Sequence, residues 1–214
     1  MNGFILVNKE SGVSSNFVVQ QIKKKINAQK IGHLGTLDPL ASGLLILAVN
    51  RATKFSSYFL ESDKSYDVEV EFGTSTDTDD STGKIIYKSN DYPNKTSVKN
   101  HLESFIGESM QIPPFFSALK HKGKPLYKYA RRGELISKPP RKISVNCIEN
   151  FDLNNKVCAF RIYCSKGTYI RSIARDLGKK LGCGAHMKSL IRLSQGNFNI
   201  SDAKSSSDIL EKHI

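Results

Sequence analysis

The sequence predicts an α+β fold built around a mixed sheet. Three observations predict it. "SYDVEVEF", residues 65–72, alternates apolar and polar side chains with the period of a half-buried strand. "SSNFVVQQIKKKIN" and "GTYIRSIARDLGKKLG" instead place their apolar residues at helical spacing. Strand and helix signals then follow one another irregularly, unlike the strict alternation of a βαβ-wound sheet. The chain's 214 residues suffice for a core that needs no metal or disulfide, since a chain of that size buries about 70% of its extended surface. Hydrophobic residues at 39% and charged residues at 24% are those of an ordinary globular protein.

In chain order, "GFILVN" is the first expected strand. A helix follows over "SSNFVVQQIKKKIN", with Ser14 or Ser15 as N-cap, Val18, Val19, Ile22 and Ile26 inward, and Lys23, Lys24 and Lys25 on the other face. "GHLGTLDPLASG", residues 32–43, is a loop, and "GLLILAV" a buried strand. A helix is expected from about Arg51 to Leu60, then the strand "SYDVEVEF", whose apolar face is Tyr66, Val68, Val70 and Phe72. The polar turn "TSTDTDDSTG" leads to "KIIYK", and a helix from about Thr96 to Ile106 stops at Gly107, a residue type that favours helix ends. "IPPFFSALKHKGKPLYKYARRGE" mixes proline, aromatic and basic residues. Two strands follow, near Lys142–Phe151 and Lys156–Ser165. The helix over "GTYIRSIARDLGKKLG" turns Ile170, Ile173, Ala174, Leu177 and Leu181 inward and repeats Arg171, Arg175 and Lys179 every four residues. Residues 201–214 read as a short polar tail.

Several function classes find no support. The four cysteines, Cys147, Cys158, Cys164 and Cys183, form no C-x-x-C pair and read as reduced structural residues. Cys183 and His186 are half of a metal site without a second half. "DTDDSTGK" has Asp77 and Asp79 in calcium-loop positions, but Thr82 and Lys88 replace the glycine and the bidentate glutamate. It lacks the earlier glycine of a phosphate loop and reads as a solvated hairpin turn. No G-x-S-x-G is present. No apolar run reaches the roughly 18 residues of a membrane span, and the N-terminus is unlike a signal peptide, so a cytoplasmic protein is expected. Lys and Arg number 32 against 20 Asp and Glu, a net charge of +12. That excess suits a polyanion such as nucleic acid, with a solubility charge or an acidic membrane surface as alternatives.

The residue that raises a chemical question is Asp38, the one carboxylate of "GHLGTLDPLASG". Before Pro39 it suits an Asx turn, its carboxylate bonding a nearby backbone N–H. It equally suits a reactive carboxylate, a nucleophile or a proton carrier, held ionised by a cation; Arg171 and Lys54 are candidates. The local sequence does not choose.

The chain as a whole resembles the TruB-type tRNA pseudouridine synthases. "GFILVNKESGVSSN", "KIGHLGTLDPLASGLLIL", "ATKFSSYFLESDKSYDVEVEFGTSTDTDDSTG", "IPPFFSALKHKGKPLYKYARRGE", "CSKGTYIRSIARDLG" and "LGCGAHMKSLIRL" are similar to family blocks, in family order, over about residues 3–195. The resemblance implies the pseudouridine synthase fold, a mostly antiparallel mixed central sheet flanked by helices with an active-site cleft. It implies isomerisation of uridine 55 in the T-loop of tRNA, without cofactor or metal.

By that resemblance Asp38 is the catalytic nucleophile, or assists departure of the base, and Arg171 pairs with it. Tyr66 stacks on the flipped base and relays a proton; Tyr169 contacts the substrate, Leu190 lines the pocket, and His33 fills the gap the flipped uridine leaves. Lys54 supports the active-site loop or touches RNA. Flipping a base costs a few kcal/mol of stacking, which aromatic faces and a replacement residue offset. Basic clusters at Lys120–Lys128, Arg131–Arg132 and Arg171–Lys179 would follow the phosphates. The implied organisation is a catalytic domain over residues 1–200, with an RNA-contacting insertion at about 110–140, and the tail 201–214 in place of the family's C-terminal PUA-type module. The expected partner is the T-arm of tRNA, with no guide RNA and no membrane, and the expected state is a monomer.

Overall fold

A computed structural model describes residues 1–211; the last three residues of the expected tail lie outside it. The chain divides into two compact units, residues 1–67 with 190–214, and residues 68–189.

The first unit opens with β1 (Gly3–Lys9) and α1 (Ser15–Lys25). Ser14 caps α1 by accepting the Phe17 N–H, and Val18, Val19 and Ile22 are buried as the spacing predicts. After β2 (Ile31–His33) and the loop comes β3 (Ser42–Val49), buried along both faces from Gly43 to Val49. β1 and β2 both pair with it antiparallel. Leu34, Leu44, Ile46, Ala48 and Ala52 form one core cluster, with Phe4, Phe59 and Phe198 packed against it. Each leucine or isoleucine of the cluster contributes about 1.5–3 kcal/mol through burial.

The helix expected over 51–60 is split. Residues Asn50–Phe55 form a 3-10 turn and only Ser56–Leu60, α2, is α-helical. The Thr53 and Ser56 hydroxyls donate to carbonyls three residues back, at 2.8 and 2.6 Å, which favours the tighter winding. β4 (Lys64–Phe72) follows, with Tyr66, Val68, Val70 and Phe72 buried.

The second unit holds the hairpin β5 (Thr74–Thr76) and β6 (Ile85–Lys88), then α3 (Lys95–Glu103), capped by Asn94. β7 (Gly107–Gln111) precedes the proline-rich segment, where β8 (Lys120–His121), β9 (Lys124–Pro125) and α4 (Leu126–Ala130) form a small basic excursion. β10 (Arg141–Asn154) pairs antiparallel with β7 and with β11 (Val157–Cys164). α5 (Ile170–Lys180) has the predicted inward face, and Gly182, at φ +74°, ends it.

β12 (Ala185–Gln195) carries the chain back into the first unit, where it runs parallel to β3 with Arg192 opposite Gly43. β13 (Phe198–Asn199) turns back on it. Residues 204–211, expected as tail, are built into this unit. β14 (Lys204–Ser205) pairs parallel with β1, and Ile209 of α6 (Ser206–Glu211) is buried. The strand pairs are mostly antiparallel with parallel ones among them, and helices flank them: the mixed α+β architecture that was expected. No described helix is long and apolar enough to cross a membrane, and the four cysteines form no disulfide among the described residues.

Candidate active site

Asp38 sits half-buried in the loop between β2 and β3. The Ser15 hydroxyl, itself buried in α1, donates to the Leu37 carbonyl at 2.8 Å and accepts the Leu37 N–H at 2.9 Å. Ser11 donates to the Leu40 carbonyl at 2.6 Å, and Gly12 N–H to the Pro39 carbonyl at 2.7 Å. Ala41 N–H closes a turn onto the Asp38 carbonyl at 3.1 Å. Three anchors on residues 11–15 thus fix the backbone on both sides of the carboxylate, which a reactive group needs in order to be aimed.

The charges around this loop are buried ones. Lys9, fully buried at the end of β1, donates to the Glu10 and Val13 carbonyls, both at 2.8 Å, and lies 3.5 Å from the Pro39 carbonyl. Burial lowers its pKa to about 8, with Arg192 pushing the same way and Asp38 acting against both. Arg192, 1% exposed on β12, donates to the Leu44 carbonyl at 2.7 Å and the Gly35 carbonyl at 3.0 Å, one on each side of the Asp38 loop. Burial lowers its pKa from the ordinary arginine value, and the Tyr66 side chain acts against that shift. His33 ends β2 half-buried, and its Nδ1 is buried with no hydrogen-bond partner among the described residues. Burial first, and Arg192 second, hold its imidazole below the ordinary range. A neutral ring is the form suited to stacking among bases. Leu190 is buried on β12. Lys54 is exposed on the 3-10 turn, with no hydrogen bond or ion pair among the described residues.

The second unit carries the remaining predicted residues. Arg171, 4% exposed in the first turn of α5, donates to the Thr78 carbonyl at 3.1 Å and the Phe116 carbonyl at 2.9 Å, and its Nε lies 3.9 Å from the Asp80 carboxylate. Asp80 is buried and accepts from the Thr78 hydroxyl and from the Thr82 hydroxyl and N–H. Beside it Arg175 pairs with Asp79 at 3.1 Å and Asp176 at 2.8 Å. Burial raises Asp79 to about 6, while Arg175 opposes the rise. Two readings of the sequence are corrected here. "DTDDSTGK" is a hairpin turn, but Asp79 and Asp80 are not solvated, because arginines of α5 draw them inward. Equally, Arg171 and Arg175 do not form a phosphate-facing stripe; of that series Lys179 is the exposed member.

Tyr169 is half-buried at the N-cap of α5. Its backbone is clamped by the buried Gln111 amide, which accepts the Tyr169 N–H at 2.8 Å and donates to its carbonyl at 3.1 Å. The Arg141 guanidinium lies over its ring at 4.6 Å. The segment 120–132, by contrast, turns Lys120, Lys122, Lys124, Lys128, Arg131 and Arg132 to solvent.

Lys9, Arg192, Asp80 and Gln111 were missed in the sequence. For Lys9 and Arg192 a signal existed: each is a charge at the inward phase of a strand, two residues from the buried Val7 and Leu190 respectively.

The chain is similar to known proteins along nearly its whole length. Residues 23–170 match the TruB family pseudouridylate synthase (N terminal domain), and residues 171–214 the tRNA pseudouridylate synthase B C-terminal domain. The chain is 47% identical over 205 residues to tRNA pseudouridine synthase B of Francisella philomiragia, covering 95% of this chain and 68% of that protein. It is 48% identical over 198 residues to the protein of the same name from Blochmanniella floridana, covering 92% and 78%. Among solved structures, a chain of a Cbf5–Nop10–Gar1 complex superposes with a TM-score of 0.76 at 30% identity, over 98% of this chain and 54% of that one. With the two family models matched over residues 23–214 and relatives near half identity over nearly its whole length, the chain belongs to the TruB family of pseudouridylate synthases.

Proposed function

We propose that the chain converts uridine 55 in the T-loop of tRNA to pseudouridine, with Asp38 as the reacting carboxylate. The observation that carries the reading is the loop at Asp38, pinned on both sides by Ser11, Gly12 and Ser15 and backed by the buried charges of Lys9 and Arg192. A pinned loop with cations behind it suits an anion that must be aimed, more than a turn that only reverses the chain.

The reaction breaks the N1–C1′ bond, rotates the uracil and rejoins it through C5. Asp38 attacks C1′ or assists departure of the base. Tyr66 stacks on the base and relays a proton, Tyr169 and Leu190 contact it, and His33 occupies the space it vacates. Arg171 is assigned as the counter-charge of the reacting carboxylate, and Lys54 to loop support or RNA contact; these roles rest on the family resemblance. No atom is added, so no cofactor or metal enters the scheme. The solvent-facing lysines and arginines of residues 120–132 suit phosphate contact. The scheme places the enzyme in the cytoplasm, acting as a monomer on bare tRNA.

The test is a tritium-release assay with C5-tritiated tRNA and the purified chain alone, followed by mapping of the modified position. Release, with pseudouridine at position 55, is expected. Activity that appears only with an added guide RNA would support the guided mode instead. Binding without turnover would make the chain an RNA-binding module.

A further inference from the structure

Arg141 has no part in the scheme above, yet its placement is unusual for a charge. It begins β10, directly opposite Gln111 of β7 in the antiparallel register. Its guanidinium is not simply turned to solvent. Nε and Nη2 are buried, and neither has a hydrogen-bond partner among the described residues. The next residue shows the ordinary alternative: Lys142 is exposed and pairs with Glu108 at 2.8 Å. Burying N–H donors without acceptors is costly, so another contact must offset the cost.

That contact is an aromatic face. The Arg141 Cζ lies 4.6 Å from the centre of the Tyr169 ring, within the range of a cation–π interaction. The guanidinium also approaches the turn that precedes Tyr169. A Cβ at Gly167, where φ is +76°, would sit 3.5 Å from its Nη1 and 3.7 Å from its Cζ. The turn itself is tied to β10 by Ser144. The Ser144 carbonyl accepts the Ser165 N–H at 2.8 Å, and its N–H donates to the Ser165 hydroxyl at 2.9 Å. From β7, Gln111 holds the Tyr169 backbone at the register position that carries Arg141. One strand pair therefore grips the tyrosine twice, its backbone from one strand and its ring from the other.

We propose that Arg141 is a positioning residue for Tyr169, holding its ring in the orientation that meets the flipped base. The inference rests on the pseudouridine synthase reading, in which Tyr169 contacts that base. Tyr169 is the N-cap of α5, but its side chain makes no capping hydrogen bond, so the helix end does not fix the ring. The Gln111 clamp fixes only the backbone, and the side-chain torsions need a restraint of their own. A guanidinium is planar, always charged and suited to lie against an aromatic face. A ring already in place spares the base the cost of ordering it. Misplacement by about 1 Å can slow a step on the order of a hundredfold.

The experiment compares the wild-type chain with Arg141→Met and Arg141→Lys, each also in a Tyr169→Leu background. Single-turnover tritium release at saturating C5-tritiated tRNA gives the rate, and tRNA affinity is measured separately across salt. The Arg141 side-chain protons are followed by NMR in the free chain. Arg141→Met is expected to slow release on the order of tenfold, with tRNA affinity and its salt slope unchanged. Arg141→Lys should recover part of that loss, because an ammonium also sits over an aromatic face. In the Tyr169→Leu background neither substitution should cost more than about twofold, because the two residues act as one unit. The ring should shift the Arg141 δ-protons upfield, and Tyr169→Leu should abolish that shift. Equal losses in both backgrounds, or δ-protons indifferent to Tyr169→Leu, would overturn the proposal. So would an unchanged rate with weaker binding and a flatter salt slope, which would make Arg141 a phosphate contact. If Arg141→Met does not fold, the lysine variant decides by the same comparison. If the wild type releases no tritium, the pseudouridine reading fails instead, and the proton shifts still report on the Arg141–Tyr169 contact.

Discussion

Lys9 holds an ammonium group away from solvent on two backbone carbonyls, with Asp38 as its opposing charge and Arg192 as a repelling one. Burial leaves the folded protein gripping this proton less firmly than the unfolded chain does, with a pKa near 8 against an ordinary 10.5. The sign follows from that difference. Between those values folding releases the proton, so the contribution to stability is present above the ordinary lysine pKa and is lost as pH falls through about 8. Urea midpoints of the wild type, relative to Lys9→Met, should therefore rise as pH climbs from 8 to 10.5; a constant difference between the two would refute the assignment. Activity should move the other way, declining above about pH 8 as Asp38 loses a neighbouring positive charge, and tritium-release rates will show it. A lysine after "ILVN" gives no hint of this when read by composition. It becomes legible only when the strand's two-residue phase is carried one step past Val7.

β12 is the element the sequence concealed, and the reason is physical. A strand is recognised by alternation, and "AHMKSLIRLSQ" breaks it by placing the charged Arg192 inward and the apolar Ile191 outward. "SYDVEVEF" obeys the rule and was legible to within one residue; α1 was legible to within two, because Ser14 caps it and its lysines face out. The turn 77–83 was legible as a turn but not as a carboxylate site, since the arginines that draw Asp79 and Asp80 inward lie over 90 residues away in sequence. The roles proposed for Asp38, Tyr66, Tyr169 and Arg171 come from family resemblance; local sequence left Asp38 open between a turn and a reactive carboxylate and gave the others a plain structural reading. The pairing of β3 with β12 depends on Gly43, which has φ +100° and no room for a Cβ against the Arg192 backbone. Gly43→Ala should cost roughly 2 kcal/mol or more, seen as a lower urea midpoint. Because the glycine ends the Asp38 loop, activity should fall further than the loss of folded protein explains. Wild-type stability in this variant would show that β12 adjusts freely.

At the scale of the molecule the net charge of +12 divides into two kinds. Some cations are interior parts: Lys9, Arg192 and Arg171 are nearly or wholly buried. Others, as on residues 120–132, face solvent and are free to meet phosphate. Only the second kind should register in the salt dependence of tRNA binding, with a slope of about −0.7 to −0.9 in log K per log salt for each phosphate neutralised. Removing Lys122, Lys124 and Arg132 together should flatten that slope by about two to three, while a slope indifferent to their loss would place RNA elsewhere. The likeness to the Francisella and Blochmanniella proteins extends over both family domains, and the proposed chemistry rests on one carboxylate. The most direct measurement is tritium release from C5-labelled tRNA by the wild type and by Asp38→Asn, an almost isosteric change that leaves the loop's anchors in place. The account predicts loss of release on the order of a thousandfold or more with tRNA binding and fold retained; turnover by the asparagine variant at a rate near the wild type's would contradict it.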